Sequence, residues 1–479
     1  MQQQRAILLL DQGGHSTRAM LFSHTGEKLL ESSAPVSTYS TGLHHHEMQV
    51  DEVLASLNGV ISDIAVKACT LNLCSIEKAG IVVQRSSFLV CRKDTLEPIT
   101  PIISWMDSRH HIWLDQQRDQ FKMLQSIPGL YPNAHYALSK IRWLLQHDER
   151  VHDEVQRNNV VFVPLAAFLV QQLCQNPQFF VDPVIASRTL MMDLNQQCWS
   201  AQLTDLAGIN PCDLPTIVGS DYHFGTINCG MFSVPLSLSG GDQSFVAFSA
   251  GLQHANEYAF INIGSGAFIQ TLCAELPTAT QLLKSPLFIG QHEQFFVLEG
   301  TVNAAASALD NQFLNVGAKS YTEIEEALSL NINIPLYQNT HAGSGSPYWL
   351  ASNAPCFSFE AEESAQIVAV LESIIFALVA NWRLMQPYSS AKRFAVSGGL
   401  SLSDRFCQKL ADCSGMQLVR VDDHEASARG AAYFMLKIKT DSLLTKRIFT
   451  PIENAPLLKR YQQFELMMDQ LCQTTVGYQ

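Results

Sequence analysis

One pattern occurs twice in this 479-residue chain and constrains the fold more than any other feature. Ala6 to Leu10 is an unbroken apolar run, Asp11-Gln12-Gly13-Gly14-His15-Ser16-Thr17 is a polar turn bearing glycines, and Arg18-Ala19-Met20-Leu21-Phe22 runs back. About 250 residues later Tyr258 to Ile263, Gly264-Ser265-Gly266 and Ala267 to Leu272 repeat it. Short apolar runs on either side of a glycine turn read as β-hairpins. Two of them, one opening each half, point to two related domains facing one another across a cleft.

The stretches between and after the hairpins alternate strand and helix patterns. Val53 to Val66 has helical spacing, Gly80 to Cys91 reads as a strand, Ser139 to Gln146 as a helix, and Phe162 to Cys174 as a buried helix. Val234 to Leu238 reads as a strand leading into Gly240-Gly241-Asp242-Gln243. Glu363 to Met385 is a long helix and Arg393 to Val396 a strand before Ser397-Gly398-Gly399; helices follow at Ser403 to Cys413 and from Ala428 through Leu436. Alternation of this kind belongs to the α/β class. The predicted domains are 1–247 and 248–438, with 439–479 a helical C-terminal extension.

Composition narrows the partners. Apolar residues are 47% of the chain and charged ones only 16%, so large interiors are expected. With 31 Lys+Arg against 44 Asp+Glu, the net charge of −13 supplies no broad positive field for a nucleic acid. A small anionic ligand would have to be held by backbone N–H groups, a metal ion and one or two placed cations. The twelve cysteines are scattered without a CxxC pair and read as reduced core thiols. The apolar run at Ala6 to Leu10 is too short for a signal peptide, and no uncharged apolar stretch reaches the roughly 18 residues of a membrane span. No membrane partner and a cytoplasmic location are therefore expected. His44-His45-His46-Glu47 and His110-His111 read as solvated loops rather than metal sites, because neighbouring histidines point to different sides.

Three motifs have chemical meaning, each with a plainer alternative. Asp11-Gln12-Gly13-Gly14 suits a phosphate cradle with a carboxylate for Mg²⁺, and equally an ordinary Asx turn. Ser397-Gly398-Gly399, between strand and helix, suits a nucleotide or a tight turn. Gly241-Asp242-Gln243 sets an acid beyond the C-terminal end of a strand, where ligands bind in α/β sheets; a helix N-cap would use the same residue.

Taken in order, these motifs resemble the FGGY family of carbohydrate kinases, of the superfamily that includes hexokinase, actin and the Hsp70 ATPase. Residues 6–437 carry the resemblance. Asp11-Gln12-Gly13 with Arg18 is similar to the first phosphate motif. Gln84-Arg85 and Trp105-Met106-Asp107-Ser108-Arg109 are similar to the substrate-side segments, and Ala186-Ser187-Arg188-Thr189 with Trp199 to the glycerol kinase branch. Gly241-Asp242-Gln243 resembles the motif with the catalytic aspartate, and Gly264-Ser265-Gly266 the second phosphate loop. Leu298-Glu299-Gly300, Pro347-Tyr348-Trp349, Gly398-Gly399 and Glu425 with Gly430-Ala431-Ala432 complete the series.

The resemblance implies two related ribonuclease H-like (actin-like ATPase) domains across a catalytic cleft. It also implies transfer of the γ-phosphoryl group of MgATP to a hydroxyl of a small polyol or sugar. Asp242 would be the catalytic base, and Asp11 and Asp242 the Mg²⁺ carboxylates. ATP would be held by Asp11, Gln12, Gly13, Gly14, His15, Ser16 and Arg18, by Gly264, Ser265 and Gly266, and by Asp310, Ser397, Gly398, Gly399 and Leu400. The acceptor would be held by Gln84, Arg85, Ser86, Trp105, His135, Asp242, Gln243 and Phe268. A homodimer is the assembly implied. Departures from the family pattern point to altered specificity: Gly14 and His15 replace two threonines, Ser86 an acid and His135 a tyrosine. Ala306, Asp310 and Leu400 replace a glycine, a glutamine and a small residue. The alternative these departures raise is a non-catalytic sugar- or nucleotide-binding protein on the same scaffold.

Overall fold

Strands β1 (Arg5–Gln12) and β2 (Ser16–Ser23) form the first hairpin, with Asp11 opposite Arg18 and Gln12 opposite Thr17. Five consecutive residues of β1, Ala6 to Leu10, are fully buried, because the strand lies inside a sheet covered on both faces. The computed structural model describes residues 5–70, 75–278, 280–313, 321–329, 333–421, 425–439 and 445–476. Cys74 lies outside them; the eleven other cysteines form no disulfide among the described residues.

The chain divides into two compact units, one within 1–253, 285–296 and 425–441, the other within 254–284, 297–424 and 442–479. In the first, β3 (Lys28–Pro35), β4 (Ser75–Val83), β5 (Gly225–Cys229) and β6 (Phe232–Gly241) join the hairpin in a six-stranded sheet ordered β5-β6-β4-β1-β2-β3. Strands β1, β4 and β6 are parallel neighbours; the outer pairs β5/β6, β1/β2 and β2/β3 are antiparallel.

A second sheet repeats this plan. It contains β7 (Tyr258–Ile263), β8 (Ala267–Cys273), β9 (Leu283–Ile289), β10 (Gln294–Val302), β11 (Arg393–Ser397), β12 (Gln417–Val421) and β13 (Thr445–Phe449), in the order β9-β10-β8-β7-β11-β12-β13. Again a hairpin, β7/β8, is followed outward by two parallel strands and an antiparallel edge strand. The duplication read from two hairpins thus extends to strand order and direction.

Helices follow their apolar periodicity. Helix α1 (Val50–Thr70) buries Val53, Leu57, Val60, Ile61 and Ile64 at three- and four-residue spacing. Helix α2 (Ala137–His147) carries the buried Lys140, and α3 (Leu165–Cys174) is apolar along its buried first half. Helix α4 (Glu363–Met385) is buried nearly all round. Helices α1 and Glu363–Tyr388 are long and apolar enough to span a membrane by composition, but 83% of the latter's apolar window is inside the protein. Each fully buried Leu, Ile or Phe contributes about 1.5–3 kcal/mol, so α4 is a principal element of the second core. Helix α5 (Asp404–Ser414) is capped by Ser403, whose hydroxyl accepts from Phe406 N–H. Helix α6 (Ala426–Leu436) packs on the 3₁₀ helix Asp242–Ala250: Gly430 sits so close to the Phe245 carbonyl that no Cβ could be accommodated. Helix α7 (Ala455–Val476) ends the described chain.

Four predicted elements differ. The single strand predicted at Gly80 to Cys91 is two, β4 and Phe88–Arg92, in different sheets, with a break at Gln84–Ser87 where Ser86 takes a left-handed φ of 67°. The helix predicted from Phe162 begins at Leu165, because Val160–Pro164 is a strand ending in a proline that cannot continue its ladder. His45–Met48, predicted as loop, is a strand antiparallel to Tyr39–Gly42. The segment after 438, predicted as helical, also contributes the edge strand β13.

Candidate active site

In the first unit three parallel strands end level with one another. Gln12 pairs with Val83 and Val83 with Gly241, so Gly13, Gln84 and Asp242 leave the sheet side by side at its carboxyl edge. Such an edge is where open α/β sheets bind ligands.

Asp11 is almost fully buried and accepts from the Arg18 guanidinium across the hairpin. Burial raises its pKa; Arg18 opposes the rise and the Glu425 charge adds to it. Gln12 is fully buried and its amide is used within the hairpin, accepting from Thr17 Oγ1 at 2.8 Å and donating to the Gly13 carbonyl at 3.0 Å. The tip is fixed by Gly13 N–H donating to Ser16 O at 2.9 Å and by Thr38 Oγ1 donating to Gly14 O at 3.2 Å. His15 is exposed beside it.

Asp242 opens the 3₁₀ helix, and its Oδ1 accepts from Gln243 N–H at 2.7 Å. It does not reach the N–H groups two and three residues on, as an N-cap would. Its carboxyl is pushed up to about 6 by burial first, opposed by Arg85 and reinforced by Asp11. Arg85 lies across Gly241, where a Cβ would meet its Cγ at 2.7 Å, so glycine is required there for space. Two acids, Asp11 buried and Asp242 partly buried, each hold their proton more tightly than usual and, flanked by two arginines, form a site suited to a divalent cation and a hydroxyl proton. Among the described residues no group of three or more His, Cys, Asp or Glu could cage a metal; Mg²⁺ ordinarily takes one or two carboxylates and keeps several waters, which Asp11 and Asp242 fit.

The Trp105 segment is held from four sides. Trp105 N–H donates to Ser87 Oγ at 2.9 Å, Ser104 O accepts from Lys140 Nζ at 2.9 Å, and Trp105 O is bonded to His135 Nδ1 at 2.9 Å. Two residues on, the fully buried Asp107 accepts from His46 N–H and chelates Arg109, which also reaches Glu47 at 2.7 Å. Burial lowers the pKa of Lys140 to about 7 and that of His135 below its usual value, with the Lys140 charge adding to the latter.

In the second unit Asn262 pairs with Ser397, and its Nδ2 donates to Ser397 Oγ at 3.0 Å, so the Gly264-Ser265-Gly266 and Ser397-Gly398-Gly399 turns leave adjacent parallel strands together. Gly398 has a φ of 92° and touches the Ile263 backbone, a conformation and approach that only glycine allows. The Ser265 carbonyl accepts from Ala305 and Ser307 N–H, tying the turn to the helix Ala306–Gln312 that carries the exposed Asp310. Leu400 is turned into the core, and Phe268 pairs with Asn262 across the hairpin. The structure thus brings the predicted residues together as two sets: Asp11 to Arg18, Gln84 to Ser86, Trp105, His135, Asp242 and Gln243 in the first unit, and Gly264 to Phe268, Asp310 and Ser397 to Leu400 in the second.

Lys140 and Asp182 were not singled out by sequence reasoning. Asp182 is fully buried, accepts from Val184 and Ile185 N–H and from Ser239 Oγ, and so joins the Pro183–Ser187 helix to β6; burial pushes its carboxyl up to about 7. The available signal was charge inside an apolar setting: Lys140 in an otherwise apolar helical face, and Asp182 before a proline at a helix start.

The comparisons with known proteins agree with this geometry. The model of the FGGY family of carbohydrate kinases matches with its N-terminal domain over residues 6–249 and its C-terminal domain over 259–436. Glycerol kinase from Trichlorobacter lovleyi is 28% identical over 452 residues, 89% of this chain and 88% of its own; that from Deinococcus radiodurans is 27% identical over 453 residues, 90% and 89%. Among solved structures, Plasmodium falciparum glycerol kinase with ADP superposes with a TM-score of 0.83 at 18% identity over 98% of both chains. Xylulose kinase from Rhodospirillum rubrum does so at 0.82 and 16% over 99% of both. With both family domains matched in order over most of its length, the chain belongs to the FGGY family of carbohydrate kinases and is, by that membership, an ATP-dependent kinase of a sugar or polyol.

Proposed function

We propose that this protein transfers the γ-phosphoryl group of MgATP to a hydroxyl of a small polyol or sugar, with Asp242 as the base. The observation that carries the reading is the position of Asp242, which leaves the carboxyl edge of the sheet beside Gly13 and Gln84, where burial raises its carboxyl to about 6. A base with a pKa near working pH removes a hydroxyl proton without being protonated itself for most of the time. Arg85, Gln243, Trp105 and His135 would orient the acceptor, an aromatic face serving its C–H side and polar groups its hydroxyls. Asp11 and Asp242 would hold Mg²⁺, which when bound neutralises charge on the transferring phosphoryl group. The backbone turns at Gly13 and at Gly264-Ser265-Gly266 would carry the phosphates, and Ser397-Gly398-Gly399 the nucleoside end. On this reading residues 1–247 serve the acceptor and 248–438 the nucleotide. A protein that only binds has no evident need for a partly buried acid poised between an arginine and a second acid.

The test is ADP release from MgATP with glycerol, erythritol, pentitols, ketopentoses and ketohexoses, for the parent and Asp242→Asn. Acceptor-dependent release that falls on the order of 10²-fold or more in the variant is expected. Release within a few-fold of the parent would remove Asp242 from the role of base.

A further inference from the structure

Lys140 is fully buried in the first turn of α2, on the face that also carries Leu138, Ile141 and Leu144. An ammonium is doubly unfavourable there, being out of water and at the positive end of a helix. With no accessible surface it can touch neither substrate, and the chemistry proposed above does not use it.

Its Nζ donates to the Ser104 carbonyl at 2.9 Å. The same carbonyl accepts from Asp107 N–H at 3.1 Å, which closes a turn over Ser104-Trp105-Met106-Asp107 with Trp105 at its second position. The charges around Lys140 also meet at this turn. Burial disfavours the ammonium, Asp107 favours it and Arg109 opposes it, while Arg109 is bonded to both Asp107 and Glu47. Two acids thus face two cations, and removing Lys140 would leave the group at the base of the turn with an excess negative charge.

Trp105 is 41% exposed, yet its N–H is bonded to Ser87 Oγ and its carbonyl accepts from His135 Nδ1, both at 2.9 Å. A large aromatic presented to solvent on a backbone tied in this way is a fixed face. His135 and Lys140 lie five residues apart, one before α2 and one in its first turn, so a single element ties the Trp105 segment from two points.

We infer that Lys140 is a positioning residue for the phosphoryl acceptor: its buried ammonium fixes the Ser104–Asp107 turn and with it the angle at which Trp105 is presented. The inference rests on the proposed reading in which Trp105 faces the acceptor. A tryptophan free to tilt weakens the hold on the acceptor and leaves the nucleotide turns of the second unit untouched. A lysine that only supported the fold would affect both substrates alike.

The experiment uses Lys140→Met and Lys140→Gln, which both remove the ammonium, so that one variant serves if the other does not fold. Kinetics are measured with MgATP and whichever of glycerol, erythritol, the pentitols, ketopentoses and ketohexoses the parent turns over. The acceptor KM should rise about tenfold or more, with kcat within about threefold and the MgATP KM within about twofold. Amide hydrogen exchange at residues 104–107 should rise about tenfold or more in the same variants. Leu144→Ala, a cavity on the same helix face, should lower Tm and leave the acceptor KM within about twofold of the parent. An unchanged acceptor KM, a parallel rise in both KM values, or unchanged exchange at 104–107 overturns the positioning role and leaves the kinase reading in place. A parent that turns over none of these acceptors, with Asp242→Asn indistinguishable from it, overturns both.

Discussion

The Arg18 guanidinium is bonded to the Asp11 carboxylate across the first hairpin, at a register where the two residues face each other directly. The pair is mostly shielded, with Asp11 almost fully buried, so each charge depends on the other. Breaking a buried pair by removing one partner costs about 3–5 kcal/mol, while removing both is much cheaper. Arg18→Met should accordingly lose about 3 kcal/mol in urea unfolding, and the double variant Asp11→Asn with Arg18→Met should recover at least half of it. Additive losses would mean that the two charges are solvated independently.

Asp242 and Asp11 are coupled in the same way, but with like charge. The Asp242 carboxyl is raised to about 6, by burial first and by Asp11 in addition, and Arg85 holds it down. A base works deprotonated, so kcat/KM should fall as pH drops through about 6 and level off above 7. Removing the cation in Arg85→Met should move that midpoint upward; removing the like charge in Asp11→Asn should move it downward, whatever either does to the maximal rate. A midpoint that stays in place in both variants would assign the titration to another group.

Much of this was legible in the sequence, because it resides in local patterns. The hairpins at residues 6–22 and 258–272 and the helix Glu363–Met385 are set by runs and periodicities of nearby residues. The Gln84–Ser87 break was not, since Gly80 to Cys91 is apolar on both sides of it and only Ser86's left-handed backbone separates β4 from Phe88–Arg92. Gly14 was legible only as a departure from the family pattern, a glycine in place of a threonine. The fold adds that a Cβ at 14 would meet only ordinary contacts, Gln84 Oε1 at 3.6 Å and Trp105 Nε1 at 3.8 Å, both contributed from 70 and more residues away.

Asp182 makes a prediction about stability alone. Its folded pKa, about 7, is raised by burial above that of an unfolded aspartate, so the native state retains a proton that the unfolded chain has released. The stability from this group is therefore complete below about pH 4 and is lost as pH rises through about 7, by roughly 4 kcal/mol in all. Asp182→Asn keeps an oxygen for Val184 and Ile185 N–H and cannot ionise. Between pH 5 and 8 the difference in unfolding free energy between variant and parent should grow in the variant's favour; a constant difference would mean that the carboxyl is ionised throughout.

His110 should act with the opposite sign. Its ring stacks on Trp113 at 5.2 Å, its Nε2 is buried without a hydrogen-bond partner, and burial, with the charges of His147, Arg142 and His111, lowers its pKa to about 4. A histidine held neutral in the folded protein contributes stability that is complete above its unfolded pKa of about 6.5 and is lost as pH falls through about 4. Because the ring is only partly buried, the contribution is on the order of 2 kcal/mol after screening. The affected segment follows Trp105 and Arg109 directly, so acid should loosen it before the rest of the first unit unfolds. His110→Phe keeps the stack on Trp113 and cannot take up a proton. Chemical denaturation from pH 7 to pH 4.5 should show the parent losing stability faster than the variant, and hydrogen exchange at residues 105–111 should rise in acid for the parent alone. Equal slopes for the two proteins would place the acid sensitivity elsewhere in the chain.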